Sequence, residues 1–233
     1  MNDASVPDGS GLGRDALKAE RVYAVLRRRI RDLELPPGTF LKKDDLAAEF
    51  GVSRAPVSEA FARLAEERLV DVFPQHGSFV SEIRLSDLRE GLFIRMGLET
   101  EAVREVARAR DAALVGALDA NIASQVAALA AGDLRRLYEL DEALHACILA
   151  AVGHERTRRF LDSARAALDR VRRLTLPEPG RPEATLAEHQ ALVEAIRAGD
   201  GDAAAAAMRA HLLALRDSID RQIGQDAAAA DRS

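Results

Sequence analysis

The sequence predicts a mainly α chain in two parts. Three helices and a β-hairpin come first, and an antiparallel all-α helical bundle follows. Three observations lead there. Ala, Leu, Arg and Glu are abundant in a 233-residue chain with 4% aromatics and no Trp, and all four are strong helix formers. Apolar residues recur at helical spacing along most of the chain. One β-branched and aromatic stretch, residues 69–83, breaks that rhythm.

Each element has its own signal. Residues 1–15 are polar and Gly-rich, so a disordered tail is expected. A helix over 16–33 carries Val22, Val25, Leu26, Ile30 and Leu33 as one apolar stripe, and Leu35-Pro36-Pro37-Gly38 ends it. A short helix over 43–50 stops at Gly51, the residue type that tolerates a left-handed helix end. Ser53 is a good N-cap for a helix over 54–67, and Pro56 falls in its first turn, where a missing N–H costs little. The hairpin turns at Pro74 to Gly77. This is a winged helix-turn-helix plan over 16–83. Residues 86–222 show no strand signal. Helices are expected near 86–109, 112–131, 133–152, 154–175, 183–198 and 202–222, forming a bundle. The Ala-rich end, 223–233, is expected to be a disordered tail.

Composition narrows the function. No uninterrupted apolar run reaches the ~18 residues of a membrane span, the first residues lack a signal-peptide pattern, and a lone Cys147 fits a reducing compartment. A cytoplasmic protein with no membrane partner is expected. The net charge is −5, and residues 1–83 hold 12 Lys/Arg against 14 Asp/Glu. Nucleic-acid binding must therefore rest on locally placed cations: Arg27, Arg28, Arg29, Arg31, Lys42, Lys43 and Arg54.

The turn between the second and third helices fits such a role. Ala47 is small where the helices approach, Gly51 permits the turn, and Val57 and Leu64 face inward. The third helix then projects its N-terminal residues outward, where a major groove meets them. Arg54 can donate a bidentate pair to guanine, worth roughly 1–3 kcal/mol of discrimination. His76 and Gly77 at the hairpin tip can reach the adjacent groove or backbone. A small helical domain for protein contacts is the alternative on spacing alone. The stretch LPPGTFLKKDDLAAEFGVSRAPVSEAFARLAEERLVDVFPQHGSFV resembles the N-terminal domain of GntR-family bacterial transcription regulators. The resemblance implies a homodimer that binds double-stranded operator DNA through Ser53, Arg54, Ala55, Ser58, Lys42, Lys43, His76 and Gly77. Family members usually carry Arg where Ser58 stands, Thr at Ala55, an acid at Lys43, in some a base-contacting Arg at Asp44, and Gly at Arg68.

The bundle carries a second constellation. Asp141 and His145 are i and i+4, on one helix face. His189 and His211 each sit among apolar neighbours that should point inward. One such histidine alone is more often a satisfied core residue. Three, with an aspartate, also make an N/O site for a transition metal, and the residues leave both readings open. DEALHACILAAVGH, EHQALVEAIRAGDGDAAAAAMRAHL and RMGLETEAVREVA resemble the FCD effector domain of the FadR-type branch of the same family. By that resemblance Asp141, His145, His189 and His211 are metal ligands for Zn, Ni or Mn, and a small carboxylate effector is expected. Arg95 is a candidate effector anchor; the alternative is a surface salt bridge with Glu99. Glu188, next to His189, is expected to point away, His154 to serve a helix start and Cys147 to pack as a small core residue. The whole reads as a ligand-responsive transcription regulator, a repressor by the family habit. The alternatives are a helical metal-binding adaptor or a metal-dependent enzyme with a vestigial DNA-binding domain.

Overall fold

A computed structural model describes residues 10–175 and 178–230. The predicted tail residues 1–9 and 231–233, and residues 176–177 between the expected helices over 154–175 and 183–198, lie outside them. The chain divides into two compact units, residues 1–83 and 84–233.

The first unit contains α1 (Ser10–Arg31), α2 (Lys43–Phe50), α3 (Arg54–Glu66), β1 (Val70–Phe73) and β2 (Gly77–Val80). Ala19, Val22, Leu26 and Ile30 are spaced to share one face of α1, and all four are fully buried. That helix packs on α3, whose Val57, Ala60, Phe61 and Leu64 are buried in turn. The hydroxyl of Tyr23 and Arg27 Nε both donate to Glu67, tying α1 to the end of α3. Gly51 takes φ 65°, and the Val52 N–H closes the turn on the Ala47 carbonyl at 3.0 Å. The strands pair antiparallel, from Val70 opposite Val80 to Phe73 opposite Gly77. Gly77 takes φ 101°, a conformation that favours glycine, and a Cβ there would stand 2.4 Å from the Phe40 ring, forcing that ring to shift. Phe40 also bridges to Phe79, the two rings 5.2 Å apart.

The second unit is helical: α4 (Leu85–Ala109), α5 (Ala112–Ala130), α6 (Leu134–Val152), α7 (Glu155–Thr175), α8 (Arg181–Ala198) and α9 (Gly201–Ala230). The central helix α4 packs against α6, α7, α8 and α9, while α5 lies on α6 and α8. Val103, Leu118, Leu144, Ile148, Leu192, Met208 and Leu212 belong to one buried core. Gly91 is a point of close approach between α4 and α7, since a Cβ there would meet the Ala164 carbonyl at 2.4 Å.

Three expectations change. Helix α1 starts at Ser10 and α9 runs to Ala230, so the predicted tails are helical over 10–15 and 223–230. Extending a formed helix adds a hydrogen bond per residue, which polar composition alone does not forbid. Helix α5 is long and apolar enough to cross a membrane by length and composition. Counting uninterrupted apolar runs missed it, because Gly116, Asp119, Asn121, Ser124 and Gln125 punctuate an Ala-rich stretch. Its Asn121 and Gln125 join the polar network of the bundle, as expected of a bundle helix.

Candidate metal centre and nucleic-acid interface

Helix α6 places Asp141 and His145 one turn apart on its buried face, α8 supplies His189 and α9 supplies His211. One ligand-type atom from each lies within 4.8 Å of the others, and all four residues are buried. His189 Nε2 stands 3.1 Å from Asp141 Oδ1, and His145 Nε2 stands 3.3 Å from His211 Nε2.

The outer partners fix which nitrogen faces inward. The backbone carbonyl of Leu140 accepts from Asn121 Nδ2 (2.9 Å), and Asn121 Oδ1 accepts from Gln125 Nε2 (2.6 Å). This chain turns Gln125 Oε1 toward His189 Nδ1 at 2.8 Å. His211 Nδ1 lies 2.7 Å from Glu188 Oε2, and Arg181 in turn donates to both Glu188 oxygens. His145 Nδ1 lies 2.7 Å from Glu99 Oε2, close but off the hydrogen-bond line. An acceptor beside each Nδ1 demands the Nδ1–H tautomer. Three bare Nε2 lone pairs then converge beside a carboxylate. Two lone pairs 3.3 Å apart repel, and His189 Nε2 has no aligned hydrogen-bond partner among the described residues. A cation relieves both defects, so these residues fit a metal.

Electrostatics agree. Burial pushes His145 down to about 3, against the pull of Glu99, and pushes His211 down to about 4, against Glu188. Both imidazoles are neutral at pH 7, as ligands must be. Burial, the largest single effect, would raise the Asp141 carboxyl, but the Arg172 guanidinium together with His189 and His145 holds the group well below the usual carboxylate range. Two nitrogens of Arg172 donate to the two Asp141 oxygens.

Arg95 is fully buried, with Nε donating to Glu99 Oε1 at 2.6 Å and Nη2 to Oε2 at 3.2 Å. The surface salt bridge is thus corrected to a buried one, because α4 lies at the centre of the bundle. Arg95 Nη1 and Arg165 Nη2 are buried without hydrogen-bond partners among the described residues, and both guanidinium groups act on Glu99. Glu188 is corrected as well. Adjacent residues on a helix point about 100° apart, yet the long Glu188 side chain still reaches His211 on α9. His154 sits just before α7, exposed. Cys147 is half-buried against the core. Sequence reasoning missed Gln125, Arg165 and Arg172 and misplaced Glu99 and Glu188. The one available signal was Gln125, a long polar residue inside an otherwise apolar stretch.

In the first unit Ser53, Arg54 and Ala55 stand exposed at the start of α3, with Ser58 half-buried one turn on. Ser53 occupies the N-cap position, but its side chain makes no capping bond, so the hydroxyl is not committed to the helix. Lys42 is exposed and held 2.9 Å from Asp45, while Lys43 lies over the Phe61 ring. His76 is exposed at the wing tip and Gly77 half-buried behind it. Arg54 donates through Nε and Nη2 to Asp44. Arg27 is spent on Glu67, Arg28 on Glu34 and Arg29 on Glu49.

Residues 18–80 match the bacterial regulatory proteins of the gntR family, and residues 90–214 match the FCD domain. The chain belongs to the GntR family. This regulator is 38% identical over 200 residues to an HTH-type transcriptional regulator in an unstable DNA locus of Streptomyces ambofaciens, covering 86% of this chain and 84% of that one. It is 33% identical over 207 residues to the HTH-type transcriptional repressor RspR of Escherichia coli K12, covering 89% and 90%. The E. coli McbR/YncC structure shares the fold at a TM-score of 0.77 and 20% identity, covering 88% of this chain and 98% of that one. The regulator is a DNA-binding transcription regulator with an FCD domain and not an enzyme.

Proposed function

We propose that this regulator is a cytoplasmic, homodimeric repressor whose helical unit, residues 86–222, holds a divalent transition metal and a small carboxylate effector. Its operator-binding unit is residues 16–83. The observation that carries the metal is the convergence of three Nε2 lone pairs and the Asp141 carboxylate, each histidine turned inward by an acceptor behind it. Asp141, His145, His189 and His211 would hold the ion; a mixed N/O set accepts Zn, Ni or Mn. The metal supplies a positive centre for an acid group. Arg95 and Arg165, each with an unsatisfied buried guanidinium nitrogen, favour an anion beside it.

The cluster is fully buried, so an effector enters only by shifting the bundle. An effector alters operator affinity only if it favours one arrangement over another. Ser53, Arg54, Ala55, Ser58, Lys42, Lys43, His76 and Gly77 would form the DNA contact, with Arg54 as the base reader. The repressor sense is taken from the name of the 33% identical relative. A homodimer is supported by an exposed apolar face on α4 and α7. Phe93 and Phe160 are 81% and 57% exposed and line one groove of about 700 Å³. Gly97, one turn after Phe93, is open above its Cα. A projecting ring beside an open glycine is self-complementary across a two-fold axis.

Metal analysis of the purified protein after incubation with Zn, Ni or Mn tests the centre. About one ion per protomer is expected, lost in the His189→Ala/His211→Ala variant. A wild-type protein that stays metal-free overturns the reading.

A further inference from the structure

The guanidinium of Arg54 has two donor edges, Nε with Nη2 at its side and Nη1 with Nη2 at its end. Asp44, in the first turn of α2, takes the side edge, with Oδ1 accepting from Nε and Oδ2 from Nη2. Nothing among the described residues takes the end edge, which is a second complete two-donor fork, available for guanine O6 and N7. Both side chains are exposed, 71% for Arg54 and 48% for Asp44, where ion pairs add little to stability. The pair therefore matters through geometry, not through the stability of the fold. It also places a carboxylate beside a residue expected to face DNA, where phosphates repel it. That arrangement suits a surface that reads base edges.

We infer that Asp44 is a positioning and specificity-determining residue, a buttress that aims the end edge of Arg54 at guanine and itself selects the neighbouring base. The inference rests on Arg54 being a base reader. Each Asp44 oxygen keeps a lone pair, which accepts from cytosine N4 or adenine N6 and is repelled by guanine O6 or thymine O4. The two residues would thus read a guanine together with an adjacent amino-bearing base. Pre-ordering also matters, because a free arginine loses rotamer freedom when it docks, whereas a buttressed one has already lost it.

The test is selection from a randomised duplex pool by the full-length protein and its Arg54→Ala, Asp44→Ala and Asp44→Asn variants. Affinities for the selected duplex and a scrambled one follow. Wild type should select a guanine next to a cytosine or adenine. Asp44→Ala should keep the guanine and lose the neighbour preference, whereas Asp44→Asn, whose amide both accepts and donates, should keep the guanine and shift the neighbour toward adenine. For Asp44→Ala the ratio of selected to scrambled affinity should fall about three- to tenfold, while scrambled affinity rises in both variants because a negative charge is gone. An Asp44→Ala protein that selects the wild-type sequence with undiminished ratio overturns the inference. So does a rise in that ratio, which would make Asp44 a lock on Arg54. An Arg54→Ala protein that keeps the guanine instead removes the base-reader premise, a separate failure.

Discussion

Replacing Glu99 by Gln probes the link between the buried Arg95 and the candidate metal centre. The amide keeps the shape of the carboxylate and one acceptor oxygen, but removes the charge. Glu99 and Arg95 are 1% and 0% exposed, and Arg95 Nη1 already lacks a partner among the described residues. Breaking a buried ion pair by removing one partner costs about 3–5 kcal/mol. The surviving amide oxygen can still accept from Arg95 Nε, which argues for the lower end, about 3 kcal/mol. For a unit of this size that lowers Tm by roughly 6–12 °C. Glu99 also stands 2.7 Å behind His145 Nδ1, and loss of such an outer partner costs roughly 10–100-fold in metal affinity. Urea unfolding of the metal-free protein reads the first effect, and chelator competition at 20 °C reads the second. A Glu99→Gln protein within 1 kcal/mol of wild type, with unchanged metal affinity, would refute the argument that Glu99 offsets Arg95 and orients His145.

Other expectations are simpler. His145 and His211 are held near 3 and 4 by burial, with Glu99 and Glu188 facing them. Their folded values lie below the unfolded 6.5, so between those limits the unfolded chain binds more protons. Stability from this source is complete above pH 6.5 and falls with acid. From pH 7 to 5 the metal-free protein should lose about 2 kcal/mol per histidine, and an unchanged urea midpoint would contradict it. Gly91→Ala should destabilise the bundle by about 1–2 kcal/mol, because the clash with the Ala164 carbonyl exceeds the gain in helix propensity. Thermal melts of the purified variant measure this. Phe93→Glu should turn a dimer into a monomer in analytical ultracentrifugation; a persisting dimer would place the interface elsewhere.

The Asp141–His145 pair was legible because helical spacing fixes what shares a face within one helix, while His189 and His211 joined it only through the resemblance to the FCD domain. Asp141 and His145 needed no partner to be seen as neighbours. The turn at Gly51, the outward start of α3 and the Pro74–Gly77 hairpin were legible from residue chemistry alone, and they appear where expected. Two errors had one cause. Arg95 with Glu99 was read as a possible surface pair, and Glu188 as pointing away. A single helix does not reveal how deeply its neighbours cover it, nor how far a long side chain reaches across to the next.

By itself, then, the sequence determined the elements, the two-part organisation and the family, through local propensity, turn chemistry and motif. It also offered, through the family resemblance, the four residues that cluster in the bundle. The tertiary structure decided the charges around that set: the Asn121–Gln125 relay behind His189, Glu188 behind His211, and Arg172 on Asp141. It also decided that Arg54 meets Asp44 rather than open solvent. Periodicity sets the angle of a side chain about its own axis. The rotation and height of one helix against another come only from packing, and these contacts all cross between elements or depend on what covers them.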